Sequence, residues 1–120
     1  MVIVNVEPGD EQSQEQPQKI LDGLRESGAT LWAVSLQKGD LRNPARDVVL
    51  NRLTQITGGR REFMFGPSAI EGMLKTFGDA LLSQYEVTYK RPDSSAKVTQ
   101  VLVGVTRTGL KLHANQFAPK

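Results

Sequence analysis

Cysteine is absent from this 120-residue chain. That excludes disulfides, zinc-thiolate sites and thiol nucleophiles, and leaves the compartment open. Histidine occurs once, at His113, and no nucleophile or orienting carboxylate in a recognisable motif accompanies it. Long apolar runs are missing too. None approaches the roughly 20 residues that span a bilayer, so no membrane insertion is expected. Met1–Val6 is too short, and too soon followed by charge, to act as a signal peptide. A strong charge of either sign is also lacking, the formal net being +2. The charge is uneven, however: residues 85–120 carry six Lys/Arg against Glu86 and Asp93, a net of +4, which leaves −2 for residues 1–84. A mildly basic tail of this kind is ordinarily a solvated face, and nucleic-acid binding is not expected.

What remains is a globular composition, 38% apolar and 23% charged, of a size that suits one domain. Residues 1–84 form three strand-then-helix units. Val2–Val6 is a β-branched run ended by Pro8-Gly9, the pattern of a buried strand and a turn. The polar stretch Glu11–Gln18 leads into a helix whose Ile20, Leu21 and Leu24 share a face, with Gly28 placed to stop it. Thr30–Leu36 is a second buried strand, containing Trp32 as a core residue. Asn43-Pro44 opens a second helix, with a stripe at Ala45, Val49, Leu53 and Ile56 and a stop at Gly58-Gly59. Arg61–Phe65 is a short third strand. Ser68 and Glu71 have capping-box spacing before a third helix, whose Ile70, Met73, Leu74, Phe77 and Leu81 supply its buried face.

After Ser83 the period changes. Tyr85, Val87 and Tyr89 alternate with polar residues, as do Val101, Val103 and Val105, and Thr108-Gly109 turns the chain into Leu110–Ala114. The expectation is a single domain, 1–120. Its α/β body, residues 1–84, has a parallel sheet with right-handed crossovers; its extension, residues 85–120, has about three antiparallel strands, which make the sheet mixed. Tyr85 and Tyr89 are expected to pack on the third helix.

Four phrases in order carry a family resemblance: LRESGATLWAVSL (24–36), LTQITGGRREFMF (53–65), LLSQYEVTYKRP (81–92) and VTRTGLKLHANQFAP (105–119). Together they resemble the later half of a von Willebrand factor A-type (VWFA) module, and more narrowly the VWFA-related domains common in acidobacterial proteins. The resemblance covers essentially the whole chain. It implies a Rossmann-like half-module, an adhesion or assembly role, and a location outside the cytoplasm. Such modules hold a divalent cation through an Asp-x-Ser-x-Ser turn, a separate Thr and a later Asp, hard oxygen ligands suited to Mg²⁺. This chain has no Asp-x-Ser-x-Ser. Where the resemblance puts the later Asp, it has Val6-Glu7-Pro8-Gly9-Asp10. Glu7 and Asp10 are thus a remnant pair that would bind Mg²⁺ weakly at best; no functional metal or other cofactor is expected.

Thr57-Gly58-Gly59-Arg60-Arg61 offers glycines and arginines, which suit phosphate. It closes a helix instead of opening one, so a left-handed cap explains the glycines, and the arginines complement the helix dipole. His113 is expected to be an exposed strand residue. The resulting expectation is a non-catalytic protein–protein interaction or structural module, with no catalytic residues, whose partner is an unknown protein. Without earlier strands, Val2–Val6 would leave a sheet edge open, to be covered by the C-terminal strands or by a second copy in a homodimer. The alternative is a small-ligand or nucleotide-binding α/β domain, or a degenerate enzyme. It rests only on the habit of such sheets of binding ligands at the carboxyl ends of their strands. Those ends lead into Glu7–Asp10, Gln37–Asp40 and Gly66–Ser68.

Overall fold

The computed structural model describes residues 1–7, 16–37, 43–90, 93 and 98–118. Strands and helices alternate as β1 (Val2–Glu7), α1 (Pro17–Ser27), β2 (Trp32–Gln37), α2 (Pro44–Ile56), β3 (Arg61–Met64) and α3 (Ile70–Leu82). The three strands form one parallel sheet in the order β1-β2-β3. Val2–Glu7 runs in step with Trp32–Gln37, and Ala33–Leu36 in step with Arg61–Met64. The protein is therefore an α/β fold of three helices and three parallel strands.

Local chemistry sets the helix ends. The Asn43 side chain accepts from the Arg46 N–H at 3.1 Å, and Pro44 occupies the first turn, where its missing donor does no harm. Gly28 ends α1 with φ 66° in the left-handed region, which costs glycine little. The Ser68–Glu71 capping box does not form. Pro67–Ala69 makes a 3₁₀ turn in which the Ile70 N–H bonds the Pro67 carbonyl, so α3 starts one turn later with Ala69 at its N-cap and no side-chain cap.

Side-chain alternation divides the core between the two faces of β2, all six residues of which are buried. Successive right-handed crossovers in one direction place their helices on one face, and α1 and α2 do share a face. Leu24, Leu31 and Leu53 pack there with Ile3, Leu21, Ala29, Val49 and Ile56. On the opposite face, Trp32, Val34, Leu36 and Met64 meet Phe77 of α3, flanked by Ile70, Met73 and Ala80. The Trp32 and Phe77 rings lie 4.9 Å apart at 59°, the tilted arrangement that aromatic quadrupoles favour.

Further expectations need correction, among them the buried face of α3, where Leu74 and Leu81 are 40% and 39% exposed. Strand β1 has the open edge that was expected, but it is not buried and the C-terminal segment does not cover it: among the described residues it pairs with β2 alone, and Val2 and Val4 are 44% and 47% exposed. A β-branched run specifies a strand, but its burial depends on the neighbours it finds. The three antiparallel tail strands are not present among the described residues. A single antiparallel bridge joins Gln100 to Phe117, flanked by bonds from Val101 N–H to the Gln116 carbonyl (2.9 Å) and from Ala118 N–H to the Thr99 carbonyl (3.2 Å). Nor do Tyr85, Val87 and Tyr89 pack on α3; they are 94%, 69% and 44% exposed. The tail instead docks on the helix ends at the amino side of the sheet. Gln116 N–H bonds the Ile56 carbonyl at 2.9 Å, while the Arg25 guanidinium donates to the Thr99 carbonyl and lies 5.6 Å from the Phe117 ring centre. The radius of gyration, 16.4 Å, exceeds the roughly 14 Å of a compact chain this long, as such an open arrangement requires.

Candidate functional site

Three places could carry function: the carboxyl ends of the strands, the polar seam between the sheet and α2, and the open edge of β1. At the carboxyl ends, Glu7 closes β1, while Asp10 and the loop 38–42 lie outside the described residues. Among the described residues no cluster of three or more His, Asp or Glu side chains could hold a metal ion. Gln37, which ends β2, is 2% exposed, and its Nε2 has no hydrogen-bond partner among the described residues. A buried amide donor in that state costs about 1–3 kcal/mol. Sequence reasoning placed Gln37 at a strand's carboxyl end but gave it no role of its own, because a strand-end glutamine carries no motif.

The polar seam was not anticipated either. Asn5, Ser35 and Arg61 belong to three neighbouring strands and share the face that α1 and α2 cover. The Ser35 hydroxyl donates to Asn5 Oδ1 at 2.8 Å and accepts from Arg61 Nε at 2.8 Å. The Arg61 fork reaches Asp47 in the first turn of α2 at 2.7 Å and Asn51 Oδ1 at 3.3 Å, and its guanidinium lies 4.4 Å from the Phe63 ring centre. The Arg61 side chain is only 2% exposed. Arg61 therefore does not complement the dipole at the end of α2, as its position in sequence suggested. Its long side chain runs back between sheet and helix to a carboxylate near the other end. The one hydroxyl among the described seam residues, Ser35 Oγ, is fully buried, gives its proton to Asn5 and accepts from the Arg61 guanidinium, so no general base is set against it there. The seam ties strands to helix and offers no reacting centre.

The Thr57-Gly58-Gly59 turn is equally structural. The Thr57 hydroxyl donates to the Leu53 carbonyl and accepts from Leu31 N–H at 3.0 Å, linking the end of α2 to the start of β2. Gly58 has φ 77°, and a Cβ there would sit 2.4 Å from the Ala114 carbonyl carbon; one on Gly59 would sit 1.7 Å from the Leu31 oxygen. Both glycines admit close backbone approach, a reason that the cap alone did not supply. His113 is exposed and lies outside any strand. No helix among the described residues is long and apolar enough to cross a membrane.

The edge of β1 is the remaining place. Its outward N–H and C=O groups face no other strand among the described residues, and the exposed Val2 and Val4 continue the apolar surface on which α3 packs. Compared with protein-family models, with characterised proteins and with solved structures, the chain matches none.

Proposed function

We propose that this protein is a non-catalytic protein–protein interaction module, resembling half of a VWFA domain, whose contact surface is the open edge of β1. One observation carries the reading: a hydrophobic edge strand is paired on one side only, with Val2 and Val4 exposed beside the α3 layer. Backbone groups on such an edge form a template for another strand, and natural sheets ordinarily blunt or cover it. The resemblance supplies the rest of the proposal: a module of adhesion or assembly type, placed outside the cytoplasm, with Glu7 and Asp10 as the remnant of a cation site that no longer works. Residues 98–118, in this reading, extend the Gln100–Phe117 bridge into antiparallel strands in the assembled state.

The test is an amide NMR titration with a soluble, Lys-flanked hexapeptide of alternating valine and threonine. Shifts or broadening confined to Val2–Glu7 and the facing end of α3 are expected. A spectrum unchanged at millimolar peptide would refute the edge as a contact surface. A second reading, a small-ligand site at the carboxyl ends, draws on the unpartnered Gln37 amide. It requires shifts at Glu7 and Gln37 on addition of Mg²⁺ with a nucleotide, and no response to the peptide.

A further inference from the structure

The open edge of β1 and the segment that follows α3 fit one another. Tyr85–Lys90 is six residues long, as is β1, and alternates as a strand does without lying in one. Set parallel and in step with β1, it places Tyr85, Val87 and Tyr89 level with Val2, Val4 and Val6, and Thr88 level with Asn5. Lys90 then falls level with Glu7. In that register the apolar side of the segment lies on the α3 face, where Val2 and Val4 are exposed.

The location of α3 supports the same site. Since α1 and α2 share one face and α3 lies on the other, a right-handed crossover through α3 leads away from β3 and towards the far side of β1. The chain's own segment does not reach it. The end of α3 packs over β2, with Phe77 against Trp32 and Ala80 on the same cluster. The vacant edge position lies two strand spacings away, about 10 Å, and one layer down, about 10 Å more, so the path is roughly 14 Å. From Leu82 to Tyr85 an extended chain covers only about 10 Å. In the structure Tyr85–Lys90 lies in no strand, and β1 has no partner on that side among the described residues.

We infer that the edge of β1 receives the Tyr85–Lys90 segment of a second copy of this chain, each copy giving its own segment and taking its partner's. The exchange gives the edge of β1 a mate in each copy and is closed by two-fold symmetry. It rests on the edge reading above and names the partner.

Sedimentation velocity on the full chain, from low micromolar to several hundred micromolar, tests the exchange through four variants. Val87→Pro and Thr88→Pro are both needed, because neighbouring N–H groups in a strand point to opposite edges and only one of them enters the new ladder. Val4→Lys charges the acceptor, and Val103→Pro is a control in the tail. Trp32 fluorescence verifies that each variant is folded. The expected result is a dimer whose dissociation constant rises at least tenfold in one of the two donor proline variants and in Val4→Lys, and not in Val103→Pro. A dimer untouched by both donor prolines would overturn the exchange in favour of β1 pairing with β1, and leave the edge reading intact. A monomer at all concentrations that still binds the hexapeptide at β1 would also overturn the exchange alone. A monomer that does not bind it would remove both.

Discussion

Replacing Arg61 by methionine should be among the most costly single changes in this molecule that leaves its core shape unaltered. The guanidinium is nearly fully buried, and its loss strips Asp47 of its cation and Ser35 of its donor at once. Breaking a buried pair from one side costs about 3–5 kcal/mol. Asp47 keeps 18% of its side-chain surface in water, which favours the lower end, about 3 kcal/mol. With an unfolding entropy of about 0.25 kcal/mol/K for a domain this size, the midpoint should fall by about 12 °C. Removing both charges, as in Arg61→Met with Asp47→Leu, leaves no stranded ion, so the double variant should recover to within about 1 kcal/mol of the parent. The assay is thermal and urea unfolding, both followed by the fluorescence of Trp32, the single tryptophan, buried against Phe77. A single variant costing under about 1 kcal/mol, or a double variant no better than the single, would refute the account of the seam as a buried, paired network.

Gln37→Leu removes an unpartnered buried donor and should stabilise the protein by about 1 kcal/mol in the same assay. A loss larger than that would mean that the amide has a partner in solution. Gly59→Ala should cost about 3 kcal/mol or more, since its Cβ would overlap the Leu31 carbonyl and the backbone must move. Gly58→Ala should release the tail selectively, because the new methyl meets Ala114 and Asn115; brief proteolysis should then cut within residues 98–118 at least tenfold faster while the body stays intact. Thr57→Val leaves the buried Leu31 N–H without its acceptor, and a cost of about 1–3 kcal/mol is expected by thermal unfolding.

The legible parts of the fold were those decided within a few residues. Asn43 as a cap, Pro44 in a first turn and Gly28 in a left-handed stop each depend on local geometry, and all three occur in the structure. So did the alternation of three strands with three helices, because each carries its own period. Ser68 and Glu71 misled because Pro67 sets a 3₁₀ turn that takes up the Ile70 donor before the helix begins. Val2–Val6 and Tyr85–Tyr89 misled for a different reason: alternation or β-branching specifies a strand-like segment but not what lies beside it. The seam was hidden because Asn5, Ser35, Asp47, Asn51 and Arg61 come from four elements, and only folding brings them together. Of the candidate metal pair, Glu7 ends β1 and Asp10 lies outside the described residues.

The docking of the tail on the end of α2 has a kinetic consequence. The contacts that build the sheet join residues about 30 apart, whereas the bond from Gln116 to Ile56 closes a loop of 60 residues, and that from Arg25 to Thr99 one of 74. Longer loops close later and at greater entropic cost. The body should therefore form its transition state with the tail still loose, so that tail contacts leave the folding rate nearly unchanged and act on the rate of unfolding. Whatever stability residues 98–118 add is therefore felt in the unfolding rate, while the folding rate is set by the body.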